Sequence, residues 1–372
     1  MESDRAGGPP PVDPVTIAAK EIVMIAYIGC RTTKERKARG KGISVYKVED
    51  GQWTLLQIAE NLVNPSYLCM NQAQDRLYAI HGDFSEVSAF RVEADGTLRY
   101  LNTVGTHGTN PVHLILDASG RWLFVANLQT GAVSLIPVKE DGSLDQIKEL
   151  YFISGNGGPG YMSHPHQVCI DHSGKWLLVP TQGRLQGLGK VTVFAVDSEH
   201  GELKEHSVMM ARTGAEPRHI VFHPNNRFAY LVNEKDSTVT YYTFDDEKGE
   251  LTPKQILTSL PSDFFGDGWA SAIDIAKDGK ALYLSNRKHD SVTVYSIDQS
   301  TGYLSYVQNI ATRGQQPRFI TVTPDNRQLI AANELSDTLT VFEIDEESGK
   351  LQDTGKQIAT ESPVCVVFKT DI

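Results

Sequence analysis

His166, Arg218, Glu234 and Arg287 are the residues of this chain whose types and spacing best suit chemistry on an anion. Arg218 precedes Glu234 by 16 residues, and the same two residue types recur with the same separation as Arg318 and Glu334. Arginine offers a forked set of donors matched to planar or tetrahedral oxyanions. Glutamate and histidine move protons near neutral pH when their surroundings tune them. Charges gathered in one place are costly to desolvate unless they pair or meet a ligand, so the set implies an anionic ligand and opens the way to hydrolysis or isomerisation. Each residue also has a plainer reading. Arg218 and Arg318 could tie neighbouring units together through carbonyls or glutamates, Glu234 could be the counter-ion of Arg218 or Arg287, and His166 could be a satisfied interior imidazole.

A repeat must position these groups. Pro65, Pro111, Pro165, Pro217, Pro317 and Pro363 each open a short β-patterned run, and Ala270 holds that place in the one unit lacking proline. Each unit reads as four strands, as in PRHIVFHPNNRFAYLVNEKDSTVTYYTFDDEKGELTPKQIL. One turn recurs as DASGRW, DHSGKW, HPNNRF, AKDGKA and TPDNRQ, and a second as EADGTL, KEDGSL, EKGEL, STGYL and ESGKL, all rich in residues that favour chain reversal. Four strands repeating every 40–50 residues or so is the signature of a β-propeller. Residues 22–59 hold only three strands of a unit, and SPVCVVFKTDI at 362–372 aligns with EPRHIVFHPNN. The last strand therefore closes the first blade and removes two free edges. The prediction is an all-β, seven-bladed β-propeller of four antiparallel strands per blade over 21–372, with 1–20 as a flexible leader.

Sixteen residues after each opening position but the last stand His81, Asn127, Thr181, Asn233, Asn286 and Asn333. The constant offset puts the start of the first strand beside the end of the second on one face of the ring. The residues just after the opening positions, Ser66, Val112, His166, Arg218, Ser271, Arg318 and Val364, then line the channel mouth. Gly82, Leu128, Gln182, Glu234, Arg287 and Glu334 form the next ring outward. His164 is expected to support His166. His113 and His219 follow their prolines by two and are expected on the opposite side of the strand, in packing or turn support. Insertions at 30–42, 154–163, 182–190 and 262–269 project from the channel face and wall a pocket. The basic run RTTKERKARGK at 31–41 reads as a solvated loop that could also draw anions in. GNGGPG at 155–160 is not a phosphate loop, because no helix follows it.

Composition narrows the partners. A formal net charge of −11 and 22% charged residues argue against a nucleic-acid or anionic-membrane surface, which would need a broad basic face. The N-terminus lacks a basic start and an apolar run, so a secretory signal is not expected. Cys30, Cys69, Cys169 and Cys365 are scattered without CxxC spacing, which points to reduced thiols, a cytoplasmic setting and no zinc site. No metal or cofactor is called for, since no carboxylate-and-Asn calcium cage is evident among the strand ends. Few exposed apolar stretches point to a monomer.

From about residue 22 to 372 the repeats resemble the lactonase family of seven-bladed propellers, which contains propeller-type 6-phosphogluconolactonases and fungal muconate-lactonising enzymes. The resemblance rests on AYIG, GISVYKV, NPSYLCMNQAQDRLYAIHG, NPVHLILDASGRWLFVANL, HPHQVCIDHSGKWLLVP, EPRHIVFHPNNRFAYLVNE, LYLSNRKHDSVTVYSID and QPRFITVTPDNRQLIAANE. By motif it implies a site of His166, Arg218, Glu234 and Arg287; the ring positions and the neighbour of His166 add Arg318, Glu334 and His164 as candidate substrate contacts. It also implies hydrolysis of a small anionic sugar lactone, 6-phosphogluconolactone first. Arg218 and Arg287 would anchor the anion, Glu234 would act as general base and His166 as proton donor or oxyanion partner. Lactone formation on a muconate-type substrate, or a propeller used only as a binding scaffold, are the alternatives. VPTQGRLQGLGK stands where the family usually reads a D-L-G-type segment, and that altered loop borders the pocket.

Overall fold

The computed structural model describes residues 23–155, 161–184, 187 and 189–370. The leader assigned to 1–20 lies outside the described residues, as do 156–160 of the glycine-rich insertion.

Seven antiparallel sheets follow one another along the chain. Blade 1 is built from both ends of the sequence: Pro363–Lys369 pairs with Met24–Cys30, followed outward by Gly42–Glu49 and Gln52–Glu60. Blades 2 to 7 occupy 65–105, 111–152, 164–210, 217–258, 270–311 and 317–359. Six blades have four strands. In blade 4 the innermost strand is broken into His164–Pro165 and Cys169–Ile170, both pairing with Trp176–Gln182.

The core is divided into one apolar layer between each pair of neighbouring blades. Inner strands alternate their side chains between the two flanks, as a strand must. Ala26 and Ile28 pack toward blade 7, while Ile25 and Tyr27 pack toward blade 2. This explains why Met24–Cys30 is buried at every position rather than at every second one. The outermost strands, such as Glu202–Met210, alternate exposed and covered residues.

A hydrogen bond recurs between blades. The second-strand Tyr27, Tyr78, Tyr230 and Tyr283 hydroxyls donate to the carbonyls of Gly96, Gly142, Gly302 and Gly349 in the outer turn of the next blade, at 2.8–3.0 Å. Trp122 and Trp176 do the same through their indole N–H to Ser198 and Asp246, at 2.9 and 2.7 Å. The glycine turns have φ between 69° and 87°, where a Cβ is disfavoured. Blade 7 makes no such bond to blade 1 among the described residues. That seam is held by the C-terminal strand and by Arg39, which pairs with Asp337.

The offset of 16 is an actual pairing: Pro65, Pro111, Pro165, Pro217, Ala270 and Pro317 lie opposite His81, Asn127, Thr181, Asn233, Asn286 and Asn333. The asparagines turn away from the channel. Asn127 donates to Ser134, and Asn233, Asn286 and Asn333 donate to hydroxyls on their own third strands. Their role is to join strands.

Candidate functional site

A β-bulge after the opening residue aims the site in every blade but the fourth, where the innermost strand is broken instead. In blade 5, Pro217 pairs with Asn233 and His219 with Val232, leaving Arg218 as the extra residue. The same shift frees Ser66, Val112 and Arg318. A bulge re-aims the unpaired side chain and restarts the alternation of the strand. Arg218 thereby enters the channel, 3% exposed.

The restart also overturns the placement expected for His113 and His219. They do not point away from His166. The His219 ring centre lies 5.3 Å from that of His166 and 5.6 Å from that of His113, and the Tyr67 ring packs at 4.1 Å from His113, tilted by 41°. With Phe319, at 5.9 Å from Tyr67, these rings form a floor across the channel. Simple alternation failed because it assumes a regular strand.

Glu234 holds the upper group together. Its carboxylate lies 3.2 Å from Arg218 Nε, 3.1 Å from Arg287 Nη2 and 3.9 Å from His166 Nε2, and it accepts a 3.1 Å hydrogen bond from Gln182 Nε2. Arg218 Nη1 donates to the Ser271 carbonyl at 2.7 Å. Arg287 Nε donates to the Trp269 carbonyl at 3.2 Å, and its guanidinium lies over the Trp269 ring at 5.5 Å. Burial would raise the Glu234 carboxyl, but Arg287 and Arg218 outweigh it and hold the group well below the usual carboxylate range. Burial, and then Arg218, push His166 well below the ordinary imidazole value, so at neutral pH it is uncharged. His166 Nδ1 is buried with no hydrogen-bond partner among the described residues.

The remaining sequence-derived residues divide. Arg318 faces the same channel cavity as Arg218 and pairs at 3.7 Å with Glu334, which also accepts a 2.8 Å bond from Gln316. Burial opposes the charge on Glu334, and Arg318, the Gln316 hydrogen bond and Arg31 together more than restore it. His164 stands apart from the cluster: its Nδ1 meets the Leu128 carbonyl at 2.9 Å, tying blade 4 to blade 3.

Arg31 was missed. It follows Cys30, the partner of Pro363, and so holds in blade 1 the ring position that Glu234 holds in blade 5. Counting forward from an opening residue cannot find it, because its opening residue lies at the other end of the chain. Aligning AYIGCR with AYLVNE would have done so. The basic run behind it is not merely solvated: Arg36 pairs with Asp83, Arg39 with Asp337 and Lys41 with Glu361.

A cavity of about 320 Å³ opens beside Glu234, lined by Gln182, Arg184, Glu216, Lys235 and Trp269. That is within the range of small-ligand sites. Larger hollows of about 720 and 490 Å³ lie between the outer parts of blades 2 and 3 and of blades 1 and 2, and contain none of the clustered residues.

The family described as "Lactonase, 7-bladed beta-propeller" matches residues 25–368. The chain belongs to this lactonase family. Within it, the chain is 30% identical over 349 residues to a 6-phosphogluconolactonase of Bacillus subtilis, covering 92% of this chain and 98% of that one. It is 32% identical over 280 residues to one from Serratia proteamaculans, covering 74% and 80% respectively. The solved periplasmic gluconolactonase of Pseudomonas aeruginosa superposes with a TM-score of 0.84 at 26% identity, over 93% of this chain and 99% of that one. All three relatives are named for sugar lactones, and the Pseudomonas protein shares its fold with this chain nearly end to end.

Proposed function

We propose that this protein hydrolyses an anionic sugar lactone, with 6-phosphogluconolactone as the leading substrate. The carrying observation is Glu234, fixed as a carboxylate between Arg218 and Arg287, 3.9 Å from an uncharged His166 and open to a ligand-sized cavity. The names of the relatives supply the reaction class.

These contacts reverse the division of labour expected from sequence. A carboxylate already engaged by two guanidiniums and an amide has little basicity. His166, uncharged and with its Nδ1 unpartnered, is the acceptor in this reading. In this reading His166 takes a proton from water as the water oxygen attacks the lactone carbonyl carbon. Glu234 steadies the resulting imidazolium, as the carboxylate does in a catalytic triad. Arg287 and Arg218 face the developing oxyanion. When the ring C–O bond breaks, the proton passes from His166 to the leaving oxygen, giving the open hydroxy acid, whose carboxyl then releases its own proton to solvent.

The test is hydrolysis of 6-phosphogluconolactone and gluconolactone by wild type, His166→Gln and Glu234→Gln, followed by pH indicator. Both variants are expected to lose about 100-fold or more in kcat. Full activity in His166→Gln would return the base role to Glu234, and no turnover by wild type of either lactone would end the hydrolase reading.

A further inference from the structure

The channel holds a second cationic group that the chemistry above does not use. Arg31 is 4% exposed, its Nη1 donates to Asp83 at 3.2 Å, and its buried Nε has no hydrogen-bond partner among the described residues. Space for it is built in. A Cβ on Gly82 would lie 2.5 Å from Arg31 Nη1 and 2.4 Å from Ser66 Oγ, so any larger residue there would displace one of these side chains. Arg31, Arg218, Arg318, Ser66 and His166 share the walls of one cavity of about 20 Å³. That volume fits a single water-sized atom.

Charge around this cavity does not balance. Asp83 serves both Arg31 and Arg36, Glu234 serves both Arg218 and Arg287, and Glu334 serves Arg318. Among the described residues, five guanidiniums thus share three carboxylates, an excess of two positive charges. A phosphate monoester carries about −1.5 to −2 at pH 7. Its terminal oxygens are the size of a water, and Arg is suited to them by its fork of donors.

We propose that Arg31, with Arg318, forms a subsite for the phosphate of the substrate, one terminal oxygen entering the channel cavity while the lactone ring lies over Glu234. The inference rests on the lactonase reading and names the group that makes the site selective for a phosphorylated lactone. Asp83 is the competing internal anion. It holds Arg31 in place when no ligand is bound and weakens the pull on phosphate.

The experiment compares wild type, Arg31→Met and Asp83→Asn in two ways: KM and kcat on 6-phosphogluconolactone and on gluconolactone, and calorimetric binding of 6-phosphogluconate, which needs no turnover. Arg31→Met is expected to raise KM for the phosphorylated lactone and weaken 6-phosphogluconate binding by about 10- to 100-fold, as for loss of one charge-assisted bond. The loss on gluconolactone should be at least about tenfold smaller than the loss on the phosphorylated lactone. Asp83→Asn should tighten 6-phosphogluconate severalfold, an effect that damage to the fold does not produce. It decides the matter if Arg31→Met does not fold. Equal changes on both lactones, no change in 6-phosphogluconate binding, or weaker binding in Asp83→Asn would overturn the subsite. Wild type that binds 6-phosphogluconate in an Arg31-dependent manner but hydrolyses neither lactone would sink the hydrolase reading and leave the subsite standing.

Discussion

Glu234 is the residue on which the upper site balances. Removing one member of a buried charge cluster leaves its partners uncompensated, at a cost of about 3–5 kcal/mol. Glu234→Gln is therefore expected to lower the thermal midpoint as well as the rate, and Glu234→Gln with Arg287→Gln to recover part of that loss. A single variant as stable as wild type would show that solvent already screens the pair. A pH signature belongs to the same scale. Burial, then the charge of Arg218, lower the His113 imidazole to about 3 and hold His166 and His219 well below their ordinary value. An unfolded histidine takes up a proton below about pH 6.5. Between that pH and the folded values the unfolded chain binds more protons, so stability is complete above about pH 6.5 and is lost as the pH falls. Each histidine accounts for about 1.4 kcal/mol per pH unit in that window. Thermal unfolding followed from pH 7.5 to 4.5 should show this slope, and His113→Phe should flatten it; an unchanged slope would mean that His113 is protonated in the fold.

The blade and its bulge set which side chains meet. The four-strand unit, its turns and the cross-strand partners 16 residues apart were legible from turn chemistry and constant spacing, since hydrogen-bonded pairing must give equal strand lengths. The bulge was not legible. A one-residue shift leaves the spacing of prolines and asparagines unchanged while altering the direction of everything after it, which is why Arg218 was placed correctly and His219 was not. Interblade bonds make a separate prediction. Tyr230→Phe removes the hydroxyl that meets the Gly302 carbonyl and should cost about 1 kcal/mol, read from denaturant unfolding, with Tyr283→Phe costing a similar amount. A loss in only one of them would show that the repeated bond is not equivalent around the ring.

At the scale of the whole molecule, closure joins Pro363–Lys369 to Met24–Cys30 and so brings Arg31 into the ring of functional side chains. Deleting residues 363–372 would expose the edge of Met24–Cys30 and uncover the apolar layers on both of its flanks. The truncated chain is expected to aggregate or to unfold without a sharp transition, as judged by size-exclusion chromatography and thermal melting; a monomer melting as wild type does would show that the closing strand is dispensable. The sequence by itself determined the repeat, the blade number, the closing strand and the grouping of His166, Arg218, Glu234 and Arg287, because each follows from the repeat period and from strand positions that recur at the same ring level in neighbouring blades. Tertiary structure alone decided that Arg31 joins them, that His113 and His219 form the channel floor, that His164 stays outside, and that Glu234 pairs with both Arg218 and Arg287. These outcomes depend on contacts between blades and on the charges that burial brings together, and neither is encoded in the spacing of any single unit.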